Sequence, residues 1–346
     1  MARKPTIKDV ASRAGVSIAT VSFVLNKHPS EVISERVKKR VWAAARALDY
    51  HPSATAAGLA RKRTRNVAII FYKDEEAVSN QFYSFVIQGA IKEAIEKHYN
   101  LLFSYMNETY RGYADLPKIV QEKNAEGVLF MRWVHPKMVR AIQSRGIPVV
   151  AVDHHPPIKQ INSLQIDNRT GGFLAGQHLI QLGHRRLAFL HAARDRLSIE
   201  ERVEGFRAAF EKYELPFSQR SCLFEARSLT FDGGYELALR VLKRYKRLTG
   251  ICCANDEMSA GVLRAAHQLG MRVPEDLSVV GFDDITMANY TDPPLTTVGV
   301  IKEHMGRRAM TRLLELVEGT DQTFKREVVP VKLVVRGSTS HPKSAE

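Results

Sequence analysis

The chain has 346 residues, 51 Lys and Arg against 37 Asp and Glu, a formal net charge of +14, and 45% hydrophobic residues. That balance fits a folded globular protein of two or three units, at roughly 100–200 residues per unit, and excludes a disordered chain. No apolar run of the ~18 residues needed for a membrane span occurs, Met1-Ala2-Arg3-Lys4-Pro5 is not followed by a signal-type apolar stretch, and the 3 cysteines, of which Cys252 and Cys253 are adjacent, make neither a disulfide framework nor a spaced zinc site, so the cytoplasm is the expected location.

The charge is concentrated. Residues 1–65 hold 14 Lys and Arg and 4 Asp and Glu, a net of +10, while the other 281 residues net +4. A basic module ahead of a nearly neutral body suggests a polyanionic partner for that module, with a merely solvated basic face as the alternative.

Thr6-Ile7-Lys8-Asp9 predicts a helix start, with Thr6 as cap and Asp9 in the positive first turn. Val10 and Ala14 continue an apolar stripe, and Gly15 supplies a turn. Ser17 caps a second helix, expected to run to about Asn26, with Val21, Val24 and Leu25 facing inward. Small Ala11, turn-forming Gly15 and apolar Val10, Ala14, Val16, Val21 and Val24 stand at the spacings of a helix-turn-helix. A third helix after Ser34 carries Val37, Val41, Ala44, Ala45 and Leu48 on one face. A core of about 50 residues is only marginally stable.

The runs Ile7-Lys8-Asp9-Val10-Ala11, Ala14-Gly15-Val16-Ser17, Ala19-Thr20-Val21-Ser22 and Val24-Leu25-Asn26, with Leu48-Asp49-Tyr50-His51-Pro52-Ser53, resemble the head of the LacI/GalR family of bacterial transcription regulators. The resemblance continues to about Gly337. It implies base-reading places for Ile18, Ala19 and Phe23, and phosphate-contacting or positioning places for Thr20, Ser22 and Asn26. Thr6 and Ser17, at the helix starts, join that DNA-binding set. Ile18 and Ala19 suit thymine methyl groups and make no bidentate hydrogen bonds. Phe23 stands where the family often has Arg or His, so base contact and plain packing both remain open for it.

Residues 52–65 read as a hinge. Pro52 and Ser53 can start a helix and the alanines favour one, whereas Gly58 costs it about 1 kcal/mol. So short a segment is mostly unfolded when free. By the resemblance it becomes helical on operator DNA, and Leu59 matches a leucine that wedges into the minor groove. Arg61, Lys62, Arg63 and Arg65 supply phosphate charge.

From Asn66 onward, apolar runs alternate with helical stretches. Strands are expected at 67–71, 101–105, 128–130 and 149–152, with helices at 82–98 and near 116–122 and 137–145. A second series has helices at 170–182, 200–213, 232–242 and 257–269, and strands at 187–190, 250–253 and 278–281. Segments near 296–300 and 328–335 return across the two series. The alternation predicts parallel sheets covered on both faces. The fold class is thus an all-α helix-turn-helix DNA-binding head plus an α/β two-lobed periplasmic-binding-protein-like effector domain, divided as 1–51, 52–65 and 66–340. A ligand would sit at the carboxyl ends of the strands.

Taken alone, Asp153, Asn255 and Asp283, at strand ends, are more often caps than contacts. The resemblance implies acidic effector contacts at Asp153 and Asp283 and a binding arginine at Arg202, with weaker support for Asn255. Arg196 and Ser198 lie close by in sequence. Leu229 stands where relatives often place a stacking aromatic. Phe82, Tyr83 and Trp133 are the candidate substitutes, with core packing the alternative. Carboxylates that accept from vicinal hydroxyls and an arginine that donates in a fork suit a sugar or sugar derivative. His154 and His155 beside Asp153 lack metal-ligand spacing. No metal, cofactor or catalytic residue is expected.

An enzyme on this fold is the main rival, but no dinucleotide fingerprint, phosphate loop or nucleophile elbow is present. A cytoplasmic ligand-binding protein and a transport component are further alternatives. The expected partners are operator DNA, a small sugar-like effector and a second copy of the chain, with no membrane. The terminal nine residues carry no heptads for a tetramerising coiled coil.

Overall fold

The computed structural model describes residues 5–25, 33–51, 63–72, 80–106, 109–132, 134–153, 158, 160–193 and 197–343. The chain divides into two compact units between Arg65 and Asn66.

The first unit contains α1 (Ile7–Ala14), α2 (Ile18–Leu25) and α3 (Glu35–Ala47). The Thr6 N–H and hydroxyl both donate to Asp9 Oδ2 at 2.7 Å, so the first-turn carboxylate closes the helix start. Gly15 ends α1 at φ 62°, where an L side chain costs about 1–2 kcal/mol. Arg40 reaches back from α3 to donate to the carbonyls of Ala14 and Gly15, a cation on the negative end of α1. Ser17 Oγ accepts the Thr20 N–H at 3.0 Å and caps α2. Val10, Ala11, Ala14, Val21, Val24, Leu25, Val41, Ala44 and Ala45 fill the shared core. The expected end of the second helix at Asn26 lies outside the described residues.

In the second unit, one lobe runs β1 (Asn66–Tyr72), α4 (Gln81–Glu96), β2 (Asn100–Met106), α5 (Lys118–Gln121), β3 (Gly127–Met131), α6 (Pro136–Gln143), β4 (Val149–Val152) and β5 (Asn162–Ile166). The other runs α7 (Asn168–Gln181), β6 (Leu187–His191), α8 (Leu197–Lys212), α9 (Gln219–Cys222), β7 (Leu223–Glu225), α10 (Phe231–Arg244), β8 (Gly250–Cys253), α11 (Asp256–Gln268), β9 (Ser278–Asp283) and β10 (Thr296–Val300). The chain then recrosses. Helix α12 (Lys302–Glu318) packs on α4 and the first sheet, β11 (Arg326–Val329) pairs with β5, and β12 (Val331–Val334) returns to β10.

The sheet orders are β11-β5-β4-β3-β1-β2 and β12-β10-β9-β8-β6-β7. Among the described residues, every strand pairing is parallel except that of β10 with β12. Parallel strands covered by helices on both faces read as unbroken apolar runs. Along β1, Val67, Ile69 and Phe71 enter one core cluster, while Ala68 and Ile70 enter the other on the opposite face. Among the described residues, no helix is long and apolar enough to cross a membrane.

Four of these elements were not expected: β5, β7, α9 and α12. Strand β5 begins with Asn162 and Ser163, both buried. Asn162 Oδ1 is satisfied by Arg312 Nε and the Lys325 N–H, each at 2.9 Å. Helix α12 buries two cations, Lys302 and Arg312, which blur its apolar period. Strand β7 is only three residues long. The stretch expected as a helix at 116–122 is a 3-10 turn at Tyr113–Asp115 followed by the four-residue α5.

Candidate functional site

In the head, the capped α2 turns Val21 and Val24 into the core and leaves the other side facing outward. Ile18 is 45% exposed, and Ala19 is exposed beside it. Thr20, Ser22 and Phe23 are half-buried on the flanks. The Thr20 hydroxyl lies 2.9 Å from that of Ser17. Asn26, Leu59 and Arg61 lie outside the described residues, as do Trp133, His154, His155 and Arg196.

In the body, polar residues gather at the carboxyl ends of both sheets. Asp153 follows β4 with φ 57° and accepts the Tyr83 hydroxyl at 2.5 Å. Tyr83 is buried near the start of α4, edge-on to Phe82 with ring centroids 5.0 Å apart, and the Arg132 guanidinium sits 5.7 Å from its ring. Burial and then the Asp153 charge hold the Tyr83 phenol well above the ordinary range, so it stays a donor.

Arg202, on α8, is buried among partners of its own. Its guanidinium carbon lies 3.6 Å from the centre of the Phe282 ring. Nε donates to Asn168 Oδ1 at 2.9 Å, Nη1 donates to the Ala254 carbonyl, and Nη2 lies 3.6 Å from Asp283 Oδ1. Close contact between α7 and α8 makes this placement possible. A Cβ on Gly172 would lie 2.0 Å from the Arg202 carbonyl oxygen, and one on Gly205 would lie 1.9 Å from that of Arg169. Only glycine lets the two backbones approach so far.

Asp283 ends β9 at φ 107°, and burial pushes its carboxyl up to about 7 against the lowering pull of Arg202 and Lys302. Asp153 also raises it, so a carboxylate of each lobe feels the other. Glu201 is raised by burial as well, and it accepts from Asn168 Nδ2 at 3.1 Å. Two bonds span the lobes at the mouth of α4: Asn80 Nδ2 to Glu257 Oε1 at 3.3 Å and the Met287 N–H to Gln81 Oε1 at 3.4 Å.

The other described candidates are placed as follows. Asn255 caps α11 by accepting the Met258 N–H at 2.9 Å and donates to the Leu229 carbonyl at 2.8 Å. The Leu229 side chain is half-buried against the core. Ser198 is half-buried in the first turn of α8. Sequence reading passed over Asn168, Glu201 and Lys302. Asn168 follows the unrecognised β5, although its neighbour Asp167, which caps α7, marks the turn. Among the described residues, no group of three or more His, Cys, Asp or Glu is gathered to hold a metal ion.

The body therefore sets Asp283 beside a buried arginine with the Asp153 charge felt from the other lobe, and the head offers an outward helix face on a basic module. Residues 6–53 match the model for bacterial regulatory proteins of the lacI family, and residues 177–339 match a periplasmic binding protein-like domain. Over 338 residues the chain is 31% identical to the HTH-type transcriptional repressor PurR of Vibrio parahaemolyticus, covering 96% of this chain and 98% of that protein.

The chain belongs to the LacI family. As a member it is a DNA-binding transcriptional regulator, with a helix-turn-helix head and a two-sheet α/β body. Its fold is similar to that of the lac repressor dimer bound to operator and the anti-inducer ONPF, with a TM-score of 0.83, 25% identity, and coverage of 98% of this chain and 100% of that one. The transcriptional regulator CelR in complex with cellobiose is also similar, at a TM-score of 0.71 and 27% identity over 96% of this chain and 99% of that one. The LacI-family assignment accounts for the uneven charge: the excess sits on the head, where DNA binding needs it.

Proposed function

We propose that this protein is a cytoplasmic, homodimeric repressor whose hold on operator DNA is set by a small sugar-like effector, and that it is not an enzyme. Residues 1–51 read the duplex, 52–65 form the hinge, and 66–340 bind the effector and the partner copy. Ile18, Ala19 and Phe23 face bases. Thr6, Ser17, Thr20, Ser22, Asn26 and Arg61 bind or position phosphates, and Leu59 wedges the operator centre. The observation that carries this reading is the outward face of α2, where exposed Ile18 and Ala19 stand on a capped helix over a packed core.

Asp153 and Asp283 accept from ligand hydroxyls and Arg202 binds the effector beside Asp283, with Phe82, Tyr83, Arg196, Ser198, Leu229 and Asn255 as the further effector contacts. CelR, a relative of similar fold, is known in complex with cellobiose. Pairing of two copies is supported by apolar surface on the edge strand β2, where Phe103 is 53% and Tyr105 56% exposed, and by Tyr290 at 81%. Effector binding between the lobes changes their angle and so the spacing of the two hinges, a coupling of about 1–3 kcal/mol in allosteric proteins generally.

The test is a gel shift with a duplex selected from random sequence, with and without sugars, sugar phosphates and nucleobases that raise the melting temperature. A specific shift altered by one of them is expected. Selection of no common sequence under any condition overturns the reading.

A further inference from the structure

Lys302 is a buried lysine, 8% exposed. Its ammonium donates to three backbone carbonyls: Asp283 at 2.5 Å, Asp284 at 2.8 Å and Val300 at 3.3 Å. It also sits 5.8 Å from the centre of the Phe85 ring on α4. Burying an ammonium is expensive unless its protons are all taken up, and here each finds a carbonyl. It is also the first residue of α12, where the helix dipole disfavours a cation. A lysine in so unfavourable a place calls for a local reason.

The carbonyls it holds supply that reason. Asp283 and Asp284 have φ of 107° and 54°, a left-handed corner that non-glycine residues rarely adopt and that persists only where its surroundings hold it. The Asp284 carboxylate is held separately by Arg336 Nη2 at 2.6 Å. Lys302 therefore clamps a strained corner of the second lobe from the N-terminus of a first-lobe helix. It sits at Val300–Lys302, where the chain passes from one lobe to the other. The same corner carries the Asp283 carboxylate beside Arg202.

We propose that Lys302 is a positioning residue for the effector response, holding the Asp283–Asp284 corner in place and tying it to the crossing between the lobes. The proposal rests on the reading of Asp283 as an effector contact. An effector that pulls on Asp283 moves the corner, and the three carbonyl bonds carry that movement to α12 and the first lobe. Removing the donors leaves both lobes packed but frees their relative angle.

The experiment uses full-length, ligand-free protein with spin labels at Lys118→Cys and Gln219→Cys, exposed sites in the first and second lobes. The natural cysteines Cys222, Cys252 and Cys253 are buried. Lys302→Met keeps the stem and loses the donors, and it is expected to shift or broaden the distance distribution between labels. Lys302→Arg, whose guanidinium reaches the same carbonyls, is expected to restore it, which a purely volumetric role would not do. A folded Lys302→Met protein with the wild-type distribution overturns the proposal. If Lys302→Met does not fold, Lys302→Gln replaces it against Lys302→Arg, and identical distributions in that pair overturn the proposal. Failure of the effector reading is distinguishable: Asp283→Asn then keeps its ligand response in the gel shift, while the ligand-free distances still respond to Lys302.

Discussion

Tyr83 donates its hydroxyl to Asp153 Oδ2 at 2.5 Å. Asp153 lies just past β4, and the helix that holds Tyr83 covers the same lobe. The bond helps to aim a carboxylate that stands at a strand end. A hydrogen bond to a charged group is worth about 1.5–3 kcal/mol. Tyr83→Phe should therefore weaken effector binding by on the order of tenfold, since about 1.4 kcal/mol is a factor of ten. Calorimetric titration checks this, and unchanged affinity would clear Tyr83 of an orienting role.

Arg202→Ala removes the fork, the Phe282 contact and the partner of Asp283 together. The expected outcome is loss of the ligand response with DNA binding by the free protein retained. A stability cost of about 1–3 kcal/mol accompanies it, because Asn168 and the Ala254 carbonyl lose their donor. Gel shifts and urea melts measure the two effects separately, and a variant that still answers the ligand would remove Arg202 from the site.

Asp256 is buried, and burial, with the Asp283 charge adding to it, pushes its carboxyl from 3.8 up to about 8. Between those values the unfolded chain has released a proton that the folded chain keeps. Stability from this group is therefore full below the unfolded value and is lost as pH rises towards about 8. Asp256→Asn can still accept from the Ile285 N–H and meet the Thr297 hydroxyl, and it cannot ionise. Urea midpoints across that window should fall with pH in the wild type and flatten in the variant. Asp283, raised to about 7, leaves a smaller slope of the same sign.

Gly15→Ala places a Cβ in the left-handed region and 2.8 Å from Arg40 Nη2. The strain is about 1–2 kcal/mol, and the Arg40 caps on α1 are disturbed as well. In so small a core that is a large share of the total. Calorimetry should show the head melting earlier with the body transition unmoved, whereas a lowered body transition would contradict the division at Arg65.

Leu59→Ala should weaken operator binding well beyond its effect on nonspecific DNA, since a minor-groove wedge acts only where the duplex is bent around it. Equal losses on selected and random duplexes, compared at one salt concentration, would exclude the wedge.

Much of this architecture was legible before folding. The head follows from local chemistry. Gly15 can turn where other residues strain, Ser17 can cap, and Val10, Val21 and Val24 recur at helical spacing. Strands buried on both faces, such as β3 and β4, announce themselves as apolar runs. Where tertiary partners satisfy polar groups, that signal fails. Asn162 and Ser163 hide β5 because Asn162 is paid for by Arg312, which lies 150 positions later. Helix α12 is hidden in the same way by Lys302 and Arg312.

The candidate cleft divides along the same line. Asp153, Asp283 and Arg202 were picked out in the sequence by strand ends and by family resemblance, but their partners were not. Nothing local says that Tyr83 meets Asp153, that Asn168 holds Arg202, or that Lys302 clamps the Asp283 corner. The sequence by itself determined a basic three-helix head and a parallel two-lobed body, because capping, turn formation and apolar period act within a few residues. Only the tertiary structure decided which polar atoms are paired inside the protein and with which partners, because a buried donor takes whichever acceptor the packed chain brings within about 3 Å, however distant in sequence.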